Sequence, residues 1–142
     1  MYYHFRVKRE KVGFSAICCE LKDCKAQAKN YQDLKIMMSE VLHQYLSSSR
    51  KTSDFLVLPC ERPDLLTGNI QRIKVDNSLA FGIILKYTRV KNNYTQQHLA
   101  EKLGYKNMWG YQRLEKDNDV TIKTIYKILK VLPDLPIELL FK

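Results

Sequence analysis

The apolar residues of this chain keep two different periods, and the switches between them limit what it can fold into. From Tyr3 the pattern alternates, with Tyr3, Phe5 and Val7 on one face and His4, Arg6 and Lys8 on the other. That is the signature of a half-buried strand. After Asn30 the spacing turns helical, and Leu34, Met37, Met38, Val41, Leu42 and Tyr45 make one apolar face. Alternation returns at 70–76, and from Ser78 to Leu132 the helical period holds. The expectation is an α+β chain: a small mixed domain, then an all-helical one.

In the first domain, 10–13 supplies a turn, Phe14 to Cys19 a second antiparallel strand, and Lys25 to Lys29 a short third one. Asn30 is a good N-cap, and Asp33 at N3 suits the positive end of the helix dipole. Ser47-Ser48-Ser49 is expected to end that helix, and Phe55 to Leu58 reads as a strand stopped by Pro59. The order β-β-β-α-β buries both apolar surfaces if the helix covers one face of the sheet. The breaker-rich PCERPDLLTGN from Pro59 to Asn69 places a linker at 61–69, between domains 1–60 and 70–142. A lone strand at 70–76 needs a partner. The same strand of a second copy would supply one, which points to a dimer.

The second domain begins with a helix from Ser78 to Lys91, with Leu79, Ile83, Ile84 and Tyr87 inward. Thr95 caps the next, Gln96 to Leu103, with Tyr94 able to pack on Leu99 as a staple. Gly104 suits the left-handed position after a helix. Asn107 is favoured over Lys106 as cap of a third helix, Met108 to Lys116, whose inner pair is Tyr111 and Leu114. Thr121 caps a fourth that buries Ile122, Ile125, Ile128, Leu129 and Leu132, and Pro136 opens a last helical piece, 137–141. The fold expected is four to five helices preceded by a short strand.

Two short helices joined by a glycine-containing turn form a helix-turn-helix signature. The small Ala100 lies where the two must cross. Thr95, Gln96 and Gln97 stand at a helix N-terminus, where amides and backbone N–H groups meet a phosphate. The helix after the turn presents Lys106, Asn107, Trp109, Gln112 and Arg113 away from its core pair. Lys and Arg suit guanine O6/N7, and Asn and Gln suit adenine N6/N7. The expected partner is operator double-stranded DNA. The charge agrees: +9 in all, with 11 basic against 8 acidic side chains in residues 1–66 and 13 against 7 in 67–142.

Other chemistry is weakly supported. Cys18, Cys19, Cys24 and Cys60 lack zinc spacing, and no metal or cofactor is expected. His4, His43 and His98 are far apart, and no phosphate loop or GxSxG occurs, so the chain is not expected to be an enzyme. No run is long enough to span a bilayer, and MYYHFRVKRE lacks a signal-peptide core, so a cytoplasmic location is expected. The His4, Arg6, Lys8 side of the first strand reads as a solvated charged face, since the aromatic Tyr3 sits opposite.

Ile83 to Leu132, with YTQQHLAEKLG, YQRLE and TIKTIYKI, resembles the helix-turn-helix domain of the phage-repressor (Cro/CI, XRE) superfamily. Gly13 to Leu46, GFSAICCELKDCKAQAKNYQDLKIMMSEVLHQYL, resembles the N-terminal domain of HicB antitoxins. The resemblance implies a partial RNase H-like domain that covers a small ribonuclease toxin of the HicA type. It also implies a second domain that represses the chain's own operon, in a homodimer or higher oligomer. The first strand, Tyr2 to Lys8, carries no acid, so RNase H-type metal catalysis is not implied. Relatives carry Pro-Gly where this chain has Lys22-Asp23. Many carry Gln where it has Trp109, so no operator sequence transfers. The other reading is a stand-alone phage-repressor-like regulator whose N-terminal domain oligomerises or senses a ligand.

Overall fold

A computed structural model describes residues 1–49, 57–59, 68–116 and 120–142, and the chain divides into two units, Met1–Val75 and Asp76–Lys142. In the first unit, strands β1 (Tyr2–Arg9), β2 (Phe14–Cys18), β3 (Lys25–Ala28) and β4 (Ile70–Lys74) form one antiparallel sheet in the order β3-β2-β1-β4. Helix α1 (Tyr31–Ser49) packs on one face of it. The alternation in β1 has the consequence expected: Tyr3, Phe5 and Val7 are buried on the α1 side, with Ala16, Cys18 and Ala26 from β2 and β3. Leu34, Met38, Leu42 and Leu46 close this core from the helix. The Tyr3 hydroxyl donates to the Val57 carbonyl at 3.0 Å. Asn30 caps α1 as expected, its side-chain oxygen accepting from Asp33 N–H at 2.8 Å.

Three expectations for this unit need correction, and one for the second unit, where Ile122, expected on a buried helix face, is 85% exposed. The strand at 70–76 does not open the helical domain or wait for a second copy. It is β4, paired with β1 of the same chain from Tyr2↔Lys74 to Arg6↔Ile70. Without it β1 would present a bare edge to water, and Val75, which follows, is buried with its N–H on the Met1 carbonyl. The first unit therefore ends at Val75, not at residue 60. Second, α1 continues through the serines to Ser49, because Leu46 still has a core to face. Third, of the strand expected at Phe55–Leu58, Phe55 and Leu56 lie outside the described residues, and Val57 and Leu58 have no strand pairing. Most of the expected linker, 61–67, also lies outside them.

In the second unit, α2 (Asn77–Lys91), α3 (Gln96–Lys102), α4 (Met108–Glu115) and α5 (Ile122–Val131) precede a 3-10 turn, Ile137–Leu140. The caps fall where the side chains can supply them: Asp76 accepts from Ser78 N–H, Thr95 from His98, Asn107 from Gly110 and Thr121 from Thr124. α2 is buried on nearly all sides from Leu79 to Arg89, so it is the central element of this unit. The Tyr94 ring meets His98 edge-on at 5.0 Å between centroids. Among the described residues no helix is long and apolar enough to cross a membrane.

Candidate nucleic-acid interface

The turn between α3 and α4 is built from its glycine outward. Gly104 has φ +77°, the left-handed region that L side chains rarely adopt. That reversal lets Gly104 N–H reach the Glu101 carbonyl at 3.0 Å and Tyr105 N–H the Ala100 carbonyl at 2.9 Å, so the last turn of α3 is satisfied. Asn107, extended at φ −152°, then starts α4. Leu99, Ala100 and Tyr111 are fully buried between the helices.

Beneath this pair lies a buried polar network. Glu115, at the end of α4, accepts from Arg89 of α2 through both Nε and Nη2, from the Tyr111 hydroxyl at 2.7 Å, and from Gln96 Nε2 at 2.7 Å. Arg89 Nη1 also donates to the Tyr94 carbonyl at 3.0 Å. The side-chain oxygen of Gln96 in turn accepts from Gln112 Nε2 at 3.0 Å. Burial by itself would lower the Arg89 pKa, but the hydrogen bonds and charge of Glu115 outweigh it and hold the guanidinium above its usual value. Burial, and then Glu115, push the Tyr111 phenol well up. No buried side-chain nitrogen or oxygen among the described residues lacks a partner. Such a network fixes one arrangement of α2, α3 and α4. Gly82 permits it, since a Cβ there would stand 2.6 Å from the Glu115 carbonyl oxygen.

The expected contact residues divide by what holds them. Gln96 and Gln112 are half-buried and brought together, with the α3 amide anchored on Glu115. Thr95 and Asn107 are exposed, their side-chain oxygens occupied as caps. Lys106 and Arg113 are exposed, and Trp109 is 69% exposed. Arg89 and Glu115 escape a reading of the sequence. A signal exists: Glu115 lies four residues past Tyr111, on the inward face, where an unpaired carboxylate would be costly. Its partner, 26 residues earlier, leaves no local trace.

Two capped helices crossing at a small residue, joined by a glycine turn, with amides and cations on the outer side of the second, define a helix-turn-helix DNA-binding unit. Residues 85–140 match the family model described as Helix-turn-helix. The match begins inside α2 and ends at the last residue of the 3-10 turn, so it spans the whole constellation. The second unit thus carries the double-stranded-DNA-binding domain of a transcriptional regulator. No curated protein matches the chain.

Proposed function

We propose that this chain is a non-enzymatic, HicB-type antitoxin and autorepressor. Its first unit covers a small basic ribonuclease toxin, and its second holds the operator of the shared operon. The observation that carries the reading is the order of parts. A strand-rich unit containing the Gly13–Leu46 segment, with one amphipathic helix on its sheet, precedes a helix-turn-helix domain. On the operator, Gln112 reads a base edge from a position set by Gln96. Thr95 and the α3 N-terminus meet phosphate, while Lys106, Asn107, Trp109 and Arg113 line the groove side. A dimer places two α4 helices about 34 Å apart along one face of the duplex.

The test is co-expression with the product of an adjacent reading frame of roughly 60–80 codons, the size that suits one small domain. The reading requires a stable complex and relief of that product's growth inhibition. Absence of any complex or relief removes the antitoxin half. A stand-alone repressor is the second reading, favoured by the fact that the family match lies in the helix-turn-helix region. It predicts operator binding unaffected by any such neighbour.

A further inference from the structure

The sheet face opposite α1 carries a cation array that β4 completes. In register across the strands, Lys25, Ile17, Arg6 and Ile70 form one row, and Gln27, Ser15 and Lys8 the next. His4 stands beside Arg72, and Tyr2 beside Lys74. With Lys22, which lines a cavity of about 440 Å³ together with Arg6 and Lys8, six cations share this side. Glu10 and Glu20 are already engaged, and the exposed Asp23 adjoins Lys22 in the chain. Glu20 accepts from His4 at Nδ1 (2.6 Å) and at the backbone N–H (3.0 Å), and Glu10 accepts from Ser15 and lies 3.7 Å from Lys8 Nζ. Arg6, Lys22, Lys25 and Lys74 have no carboxylate partner among the described residues. Placing β4 here also moves charge: Met1–Val75 holds 13 basic and 8 acidic residues, so +5, against 11 and 7, so +4, in Asp76–Lys142.

We infer that this face binds the backbone of duplex DNA without reading sequence, a contact separate from the helix-turn-helix. A protein partner would want an interface centre poor in charge and rich in aromatic and apolar residues. Among the described residues, the one large apolar side chain well exposed on this face is Ile17, 47% accessible, flanked by Arg6 and Lys25. Tyr2 is half-buried with the Arg72 guanidinium 4.5 Å from its ring centroid, so stacking on bases is not its role. Cations two residues apart on a strand repeat at about 6.8 Å. That regular spacing, with Arg6, Lys25 and Lys74 outside any ion pair among the described residues, suits a dense line of phosphates, where binding is driven by counterion release. The inference does not depend on the toxin reading.

The experiment measures affinity of the full chain for a random-sequence 20-bp duplex as a function of salt. Replacing three cations in Arg6→Gln/Lys25→Gln/Lys74→Gln is expected to lower the log–log salt slope by about 0.9 for each phosphate no longer neutralised, and affinity at 100 mM salt by at least about tenfold. The control Lys11→Gln/Lys29→Gln/Lys35→Gln removes equal charge elsewhere on the first unit and is expected to change little. Equal losses in both, or none in either, overturn the inference. Amide shifts of the unmodified chain give a reading that needs no variant: the duplex should move Arg6, Ile17 and Lys25. Shifts confined to 95–113, or movement of the sheet amides by poly-L-glutamate and not by the duplex, also overturn it. Failure of the helix-turn-helix reading would look different. There, Gln96→Ala/Gln112→Ala would leave sequence preference intact and the sheet-face slope unaffected.

Discussion

Gln112 on α4 donates to the side-chain oxygen of Gln96 on α3 at 3.0 Å, and Gln96 is held from behind by Glu115 at 2.7 Å. The first glutamine of α3 therefore orients an amide on α4. An amide with a fixed rotamer loses less entropy on meeting a base. Gln112→Ala should weaken binding to an operator duplex selected from a random pool by about 1–3 kcal/mol, the worth of one good base contact. Gln96→Ala should lose part of the same energy. A double-mutant cycle by fluorescence anisotropy should show coupling of at least about 0.5 kcal/mol. Strict additivity would mean that Gln96 does not position its neighbour.

The Arg89–Glu115 pair is buried on both sides, with side-chain exposures of 11% and 7%. Removing one partner strands a charge, so Glu115→Ala should destabilise the second unit by about 3–5 kcal/mol. Replacing both, as Arg89→Met/Glu115→Leu, should recover most of that loss while weakening operator binding, because Gln96 loses its anchor. Urea unfolding followed by circular dichroism, alongside anisotropy, separates the two effects. A double variant with unimpaired operator binding would remove the positioning role from Glu115.

Those two residues also mark where the sequence stops being legible. Thr95, Gly104, Asn107 and Thr121 each act through neighbours within a few positions, and each can be placed from local chemistry alone. The same holds for the alternation of β1 and the buried stripe of α1. The Arg89–Glu115 and Gln96–Gln112 links join residues 26 and 16 positions apart, and periodicity carries no information at that range. β4 is legible as a strand, but its partner lies nearly seventy positions back at β1. Local pattern shows that a strand needs an edge, not which edge it takes.

Gly82→Ala sets two effects against each other. Alanine favours a helix over glycine by roughly 1 kcal/mol. The added methyl, however, would lie 2.6 Å from the Glu115 carbonyl oxygen and 3.0 Å from its carbon, both backbone atoms that move only with α4. Overpacking of this kind costs roughly 1–3 kcal/mol, so the net change should be a lower thermal midpoint. Gly110→Ala is a useful contrast: its new methyl would meet the Tyr105 ring, a side chain that can rotate aside. The midpoint should fall less there, and an equal or larger fall would show that α2 and α4 are not in tight contact at Gly82.

Alkaline pH should weaken the second unit through Tyr111. Its phenol is raised above the ordinary value of 10.0, first by burial and then by Glu115, with Arg89 pulling the other way. A raised folded-state pKa means that between about pH 10 and that value the unfolded phenol has lost its proton while the folded one keeps it. Stability is thus intact below pH 10 and falls as pH rises beyond it. The urea midpoint at pH 11 should lie below that at pH 8. In Tyr111→Phe, which loses roughly 1 kcal/mol at pH 8 with its hydrogen bond, the decline should be shallower. An unchanged decline would place its origin in other groups.

Trp109 is the chain's single tryptophan, and at 69% exposure it contributes little to the core. Trp109→Ala should leave the thermal midpoint almost unmoved, since exposed substitutions fall within about 0.5 kcal/mol. An indole on the outer side of α4 cannot make the bidentate amide contact to adenine. It can still lie against a thymine methyl or a sugar, which is apolar readout. Operator binding should then drop on truncation to alanine and largely persist in Trp109→Phe. The same indole reports directly: free, its emission should be that of a water-exposed tryptophan, and operator DNA should shift or quench it. If the spectrum changes with protein concentration and not with DNA, Trp109 belongs to a contact between copies of the chain, and the groove-facing surface of α4 shrinks to Lys106, Asn107, Gln112 and Arg113.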